Sequence, residues 1–241
     1  MKAKKLLIVA TLSVAASMPI TLFAAQILSQ TRSLQAIVDA MDFNPTTGDE
    51  VSDFKSAPGF GTYNATAGVT FPFNNNVASS TSTQNTVVDT AALRIYGSGS
   101  TTTHVDTRFD SSDVTAGAFV NTQTYSGMSA EFKLSNSGKI HVALTMQTAI
   151  NALDTSGVPI AEARIQSATG TAVWSQLITA TNSMTFNGYV PLAAGSYQII
   201  IKAASNIDDS KAGARLLDTS ATYTIDASII EDAGAPPRKK K

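Results

Sequence analysis

Apolar and polar residues alternate with a period of two along much of this chain, which limits the folds open to it. Five runs carry the alternation: 91–96, 104–110, 140–146, 196–203 and 222–229. Each would place one row of side chains in a core and the other in water, as is typical of antiparallel sheets. Because a single sheet would leave an apolar face exposed, the pattern predicts a mainly β, antiparallel β-sandwich of the Greek-key or jelly-roll type.

Clusters of turn-forming residues accompany these runs. Asn, Asp, Ser and Gly favour tight turns because they tolerate or stabilise unusual backbone angles. Such clusters occur at 136–138, 154–157, 168–170 and 187–188. The segment Gly97–Ser100 alternates glycine with serine and is likewise interpreted as a flexible turn.

Residues 1–24 have the features of a secretory signal peptide. Three lysines lie among the first five residues, an uncharged and mostly apolar run extends from Leu6 to Ser17, and small residues allow cleavage after Ala24. The alternative is an uncleaved anchor, since residues 6–28 carry no charge and could cross a bilayer. We therefore expect a secreted or cell-surface protein, with the periplasm also open. A membrane is expected to be a partner only through this segment, if it stays uncleaved.

Behind the signal peptide, a single helix is predicted over residues 25–42. Its apolar residues recur near helical spacing, and no Gly or Pro interrupts them; they are Ile27, Leu34, Val38 and Met41. The remaining predicted parts are a loop-rich β segment (43–125), the β-sandwich (126–232) and a solvated basic tail (233–241).

The two ends of the chain are basic, whereas its body is acidic. The sequence has 17 basic and 18 acidic residues, but seven of the basic residues lie at the two ends. Residues 25–237 therefore keep 10 basic against 18 acidic residues, a net charge of −8. Because basic patches supply most of the affinity for nucleic acids, this balance argues against a nucleic-acid partner. The absence of cysteine excludes disulfides and thiolate metal sites.

The C-terminal half has a recognisable arrangement of residues. Glu131–Leu134 precedes a glycine and an alternating strand, Tyr189–Tyr197 contains a Leu-x-x-Gly-x-Tyr core, and Tyr223–Ile225 would close the unit. Residues 130–230 thereby resemble the bacterial pre-peptidase C-terminal domain, a β-sandwich attached to many exported proteins. The core suits a tyrosine corner, in which Tyr197 buries its ring while its hydroxyl bonds nearby backbone. That domain usually follows a catalytic domain, but no protease motif precedes it here.

Two histidines, His104 and His141, are the only ones available for chemistry. In an extended strand, His104 would share one face with Asp106, Arg108 and Asp110, which brings a base, carboxylates and a cation together. A solvated, charged face accounts for the same residues. His141 lies in the polar row of its run and is expected to be exposed.

Calcium is the metal that best suits an exported acidic protein, since it binds carboxylate and carbonyl oxygens. The candidate ligands are Asp208 and Asp209, which are expected in a loop, and Asp106, Asp110 and Asp113. A third acidic cluster lies at 49–53. No cluster has the Asp-x-Asp-x-Asp-Gly pattern of an EF-hand, and no other cofactor is predicted.

The known signatures of hydrolases, phosphate-binding loops and zinc proteases are absent from the sequence. Several aromatic residues could stack on sugar rings if exposed, although aromatic residues are core residues by default; they are Phe60, Tyr63, Phe71, Phe73 and Trp174. The sequence therefore predicts no enzyme.

The leading hypothesis is an exported β-sandwich module with a binding or structural role, whose partners are other protein subunits or a surface polysaccharide. The alternative is a subunit of an extracellular filament or surface assembly. Such a subunit could be pilin-like, with one helix from Leu6 to Met41, or it could exchange edge strands with its neighbours.

Overall fold

The computed structural model describes residues 24–42, 48–57, 59–73, 76–107, 118–151, 157–209 and 215–233. The predicted signal peptide lies outside these residues except for Ala24, as do Arg108, Asp110, Asp113 and most of the basic tail. The described chain forms strands β1 (Gln26–Asp42), β2 (Gly48–Ala57), β3 (Gly61–Phe73), β4 (Asn76–Asp89), β5 (Arg94–Thr107), β6 (Ala118–Leu134), β7 (Gly138–Asn151), β8 (Gly157–Ser167), β9 (Ala172–Thr179), β10 (Asn182–Leu192), β11 (Gly195–Asp209) and β12 (Arg215–Glu231).

The strands form two six-stranded sheets with antiparallel pairing throughout. The order is β2-β1-β6-β11-β8-β9 in the first sheet and β10-β7-β12-β5-β4-β3 in the second. The predicted antiparallel β-sandwich is confirmed. In the described part of the chain, no helix is long and apolar enough to span a membrane.

The pairing of the last eight strands is nested. Strand β5 pairs with β12, β6 with β11, β7 with β10 and β8 with β9. Rolling such a nested hairpin onto itself gives the two four-stranded sheets of a jelly roll. Strands β1 and β2 extend the first sheet beside β6, while β4 and β3 extend the second beside β5. The sandwich was predicted to begin at residue 126, but strands that precede this residue and strands that follow it lie in both sheets.

The predicted helix at 25–42 is wrong, because this segment is strand β1. Leu34, Ala36, Val38 and Ala40 are all buried, with more exposed residues between them. Leu34 and Val38 are four residues apart, a spacing that fits a helix and also two periods of a strand. Hydrogen-bonded neighbours on both sides, β2 and β6, decide in favour of the strand.

Three predicted irregular segments are also strands. The segment 43–125, predicted to be loop-rich β, contains β2, β3, β4, β5 and the start of β6, while Gly97–Ser100 lies inside β5 and Asn187-Gly188 lies inside β10. Serine and threonine occupy many inward positions of these strands, including Ser80, Ser82 and Thr101. Their alternation consequently gave little hydropathy signal. The turns at 136–138 and 168–170 are confirmed, whereas most of 154–157 lies outside the described residues.

Two apolar clusters fill the space between the sheets. The larger includes Phe132 and Tyr197, and the smaller includes Leu34, Val105 and Ile207. The expected behaviour of Tyr197 is confirmed, since the residue is buried and its hydroxyl donates to the Ala193 carbonyl at 3.0 Å. Its ring stacks on that of Phe132 with centroids 5.6 Å apart.

A layer of hydroxyl groups, which we call the hydroxyl layer, separates the two apolar clusters. Its inward-facing members come from both sheets; they are Ser80, Ser82, Thr101, Thr103, Thr122, Thr124, Ser126, Ser205 and Thr219. Thr124 Oγ1 donates to the Ser205 carbonyl at 2.8 Å, and Ser80 Oγ donates to the Ile37 carbonyl at 2.9 Å. Several of these hydroxyls thus find partners on neighbouring or facing strands, which limits the cost of burying them, whereas Ser82 Oγ is buried without a hydrogen-bond partner.

Arg32 is buried beside this layer and is only 2% exposed. Its Nη1 donates to the carbonyls of Gly61 at 2.8 Å and Thr86 at 3.1 Å, and its Nη2 donates to the Gly59 carbonyl at 2.5 Å. The guanidinium carbon also lies 5.3 Å from the centre of the Tyr63 ring. Burial lowers the pKa of Arg32. One side chain thereby joins β1 to the start of β3 and to β4.

Candidate functional site

The outward face of β10, β7 and β12 carries a row of uncharged polar side chains, which we call the neutral strip. Its members are Thr145, Gln147, Thr185, Asn187, Thr222 and Thr224. Register brings them together, because Thr145 lies opposite Thr185 and Thr224, and Gln147 lies opposite Thr222. The strip therefore offers hydroxyl and amide groups that can both donate and accept hydrogen bonds.

At one end of the neutral strip there is a depression of about 510 Å³. It is lined by Gln147, Thr148, Ala149, Thr181, Asn182, Ser183, Ser220 and Thr222. None of these side chains is charged or provides a general acid or base near neutral pH. The depression can therefore bind a neutral polar group by hydrogen bonds.

Tyr189 lies at the other end of the strip and is 59% exposed. The Lys139 ammonium lies 4.7 Å from its ring centre, and the ring of His141 packs beside it at 5.0 Å. His141 Nε2 is 2.9 Å from Asn187 Oδ1. These neighbours hold the tyrosine ring in place on the sheet. Tyr189 lies opposite His141 on β7, and from this ring to Gln147 the strip and the ring together extend roughly 20 Å at about 3.3 Å per residue.

An ion pair adjoins the strip on β5 and β12. Arg94 Nε is 2.7 Å from Asp226 Oδ1, its Nη2 is 2.5 Å from Oδ2, and the guanidinium lies 4.8 Å from the Tyr96 ring centre. The hydrogen bonds from Arg94 lower the pKa of Asp226, and the carboxylate raises the pKa of Arg94. The two charges neutralise each other, so this side of the strip adds no net charge.

The aromatic residues singled out in the sequence do not form one surface. Phe60 is exposed, Tyr63 and Phe71 pack against the smaller apolar cluster, and the side chain of Phe73 lies outside the described residues. Trp174 is half-buried against Phe186, with ring centroids 5.1 Å apart. Tyr189 was not among the sugar-stacking candidates. Its outward position in β10 identifies it, but the turn predicted at Asn187-Gly188 conceals that position, since both residues lie inside the strand.

His104 has a partner on a neighbouring strand that the sequence did not indicate. Its Nδ1 lies 2.7 Å from Asp218 Oδ1, and both side chains are partly exposed. Asp106 lies two residues further along the same face, while Arg108 and Asp110 lie outside the described residues. His141 is half-exposed and pairs with Asn187. Neither histidine pair includes a hydroxyl nucleophile.

The candidate calcium ligands lie on different parts of the sandwich. Asp208 and Asp209 belong to strand β11 rather than to a loop, so one side chain is exposed and the other buried. Asp106 lies on the other sheet, and Asp110 and Asp113 lie outside the described residues. Across the described ranges, no three His, Cys, Asp or Glu side chains come together in a metal-binding group.

No protein-family model matches the chain, and neither does any curated protein. A structure of infectious bursal disease virus Gx strain is 15% identical, covers 92% of this chain and 75% of that chain, and has a TM-score of 0.27. An arabinose-bound α-L-arabinofuranosidase is 9% identical, with 66% and 23% covered and a TM-score of 0.21. TM-scores this low establish neither a common fold nor a common function. The resemblance of residues 130–230 to the pre-peptidase C-terminal domain stays a prediction.

Proposed function

We propose that this chain is an exported, non-enzymatic β-sandwich module that binds a neutral polysaccharide at the cell surface or outside the cell. The observation that carries the proposal is the neutral strip, with an exposed aromatic ring at one end and a polar depression at the other. Sugar rings present apolar faces that stack on aromatic side chains and hydroxyls that pair with amides and hydroxyls. A strip of roughly 20 Å suits an extended chain of several sugars.

The absence of catalysis is part of this proposal. The His104–Asp218 pair lies on an open sheet face, and the depression has no acid or base among its lining residues. General acid–base catalysis requires a titratable group within hydrogen-bond reach of the reacting atoms. We therefore expect the bound polysaccharide to be released uncleaved.

Replacing Tyr189 by alanine is expected to weaken polysaccharide binding about tenfold or more, because an exposed aromatic anchor typically contributes over 1 kcal/mol. Binding would be measured by affinity electrophoresis in gels that contain glucans, mannans or xylans. Gln147→Ala, at the other end, should also weaken binding. The matched control is Phe54→Ala on β2, since Phe54 is 62% exposed but lies on the other sheet. Equal binding by all three variants and the unaltered chain would refute the role of the strip.

The alternative function, a subunit of a surface assembly, is favoured by a separate observation on strand β9. This edge strand of the first sheet contains no charged residue, Gly or Pro, and it exposes Val173 and Leu177, the latter by 61%. The opposite edge, β2, carries Asp49, Glu50, Asp53 and Lys55. Charged residues protect sheet edges from pairing with other chains, so only β2 has this protection.

The geometry of β9 suits pairing with a second copy of the same strand. In an antiparallel pair with Ser175 on the two-fold axis, Val173 lies opposite Leu177 of the second copy, and Trp174 lies opposite its Gln176. Both apolar side chains then pair on the same face. The pilin-like form of this function required a helix through residues 26–41, and β1 contradicts it. The strand-exchanging form is compatible with β9.

If β9 pairs in this way, Leu177→Lys should convert dimers or larger assemblies to monomers in multi-angle light scattering, because it places a charge opposite Val173 of the second copy in both halves of the contact. Phe54→Lys on β2 is the control and should leave the assembly intact. Because the chain has no cysteine, Ser175→Cys would introduce a single thiol per chain that forms a disulfide across the two-fold axis. A monomeric unaltered chain, or a dimer that survives Leu177→Lys, would exclude β9 as the contact.

A further inference from the structure

The backbone amide of Ala25 donates a hydrogen bond to the carboxylate of Glu231. Its nitrogen lies 2.7 Å from Glu231 Oε2, and the other carboxylate oxygen accepts from the Asn136 amide at 2.5 Å. Ala25 is only 5% exposed and packs into the larger apolar cluster. The carboxylate therefore binds two backbone donors from segments far apart in the sequence.

Three chain segments meet at this carboxylate and hold it in place. Glu231 is the last residue of β12, Ala25 directly precedes β1, and Asn136 lies in the turn between β6 and β7. Beyond β12, the Asp232 amide donates to the Ser137 carbonyl at 2.9 Å. The Ser137 hydroxyl lies 3.1 Å from the Asp232 carboxylate. The position of Glu231 is thus fixed by the turn as well as by the strand.

We propose that Ala25 is the amino-terminal residue of the mature protein and that its α-ammonium forms an ion pair with Glu231. The inference rests on the proposed export. Two independent observations agree on this position: the small residues that allow cleavage after Ala24, and the carboxylate that faces the nitrogen of Ala25. Hydrolysis of the Ala24–Ala25 bond by a signal peptidase adds water across it, so that Ala24 leaves with a carboxylate and the Ala25 nitrogen takes up protons.

Cleavage changes the chemistry of the contact. In the uncleaved chain, a neutral amide with one hydrogen faces Glu231, whereas the mature terminus presents a charged group with three donors. The carboxylate is charged in both cases, so cleavage adds the attraction between two opposite charges at hydrogen-bond distance to a bond that already exists. Cleavage one residue earlier would place the new charge on Ala24, which is exposed. The carboxylate thus distinguishes the proposed terminus from its neighbour.

A double-mutant comparison tests the ion pair without relying on export. One chain begins at Ala25 and the other at Thr21, so that Ala25 carries a free amine in the first and a peptide bond in the second. Glu231→Gln is introduced into both, because glutamine keeps an acceptor oxygen but removes the charge. We expect the variant to increase the unfolding equilibrium constant about tenfold more in the chain that begins at Ala25. An equal effect in both chains would overturn the ion pair.

The intact mass of the protein recovered from its native cell fraction tests the cleavage position. A mass that corresponds to residues 25–241 supports the proposal, and a mature terminus at any other residue overturns it. Recovery of the uncleaved chain from the cytoplasm would refute export as well. The stability comparison would still report on the ion pair in that case, so the two failures can be told apart.

Discussion

Replacing Arg32 by alanine is expected to lower the free energy of unfolding by about 3–5 kcal/mol. The guanidinium donates to the carbonyls of Gly59, Gly61 and Thr86, and the arginine is almost fully buried. Removing it leaves these carbonyls without their donor and opens a cavity beneath the β2–β3 connection. The contact with Thr86 is buried and the other two are partly buried, and a buried acceptor that loses its partner costs about 1–3 kcal/mol. Urea unfolding followed by circular dichroism would measure the loss.

Arg94→Ala is the matched control for this prediction. Arg94 contacts the Asp226 carboxylate at 2.7 and 2.5 Å, but it is exposed and its ion pair is screened by solvent, so Arg94→Ala should lower the free energy of unfolding much less than Arg32→Ala. Arg32→Lys should fall between the two, because a single ammonium cannot reach three carbonyls in the geometry of a planar guanidinium. A loss below 1 kcal/mol for Arg32→Ala would mean that water takes over all three carbonyls.

Replacing Gly97 by alanine is expected to cost at least about 3 kcal/mol through strain and steric overlap combined. Gly97 has a φ of 137°, which side-chain-bearing residues rarely adopt. An added Cβ would overlap the Asn85 carbonyl oxygen and lie 2.6 Å from the Cα of Thr86. Both contacts are with the backbone of the paired strand β4, so β4 and β5 would have to separate.

Gly68→Ala on β3 is the control for that variant. Its added Cβ would meet Thr81 Oγ1 at 3.5 Å, an ordinary contact, and alanine is preferred over glycine within strands. Gly68→Ala should therefore leave the midpoint of thermal unfolding unchanged or slightly raised, while Gly97→Ala lowers it by many degrees. Similar midpoints for both variants would show that β4 and β5 can adjust without cost.

Sequence patterns predicted the strands in which large apolar residues alternate with polar ones. Strands β7, β11 and β12 are of this kind, and their inward rows are rich in Ile, Val and Leu. Strand β4 could not be found in the same way because serine and threonine occupy both its inward and outward rows. Hydropathy does not distinguish a buried hydroxyl that has a partner from one in water.

The candidate site depends on register between strands, which one sequence does not reveal. Tyr189 meets His141 and Lys139 because β10 pairs with β7 in one register, and a shift of one residue would turn Tyr189 inward. The pairing of His104 with Asp218 likewise joins residues 114 positions apart. Ala25 and Glu231 are likewise far apart in sequence, and they meet because the folded sandwich places the start of β1 next to the end of β12.

The hydroxyl layer also bears on how the long strands find their alignment. A slip of one residue between strands exchanges the inward and outward rows and is strongly disfavoured. A slip of two residues keeps every side chain on its own face, so the pleat alone does not prevent it. Because β4, β5, β6, β11 and β12 carry buried apolar residues on both sides of their hydroxyl segments, such a slip would move hydroxyls into an apolar cluster and separate pairs such as Thr124 with Ser205. The hydroxyl layer thus fixes the register between paired strands along their length, among several registers that would bury nearly the same faces.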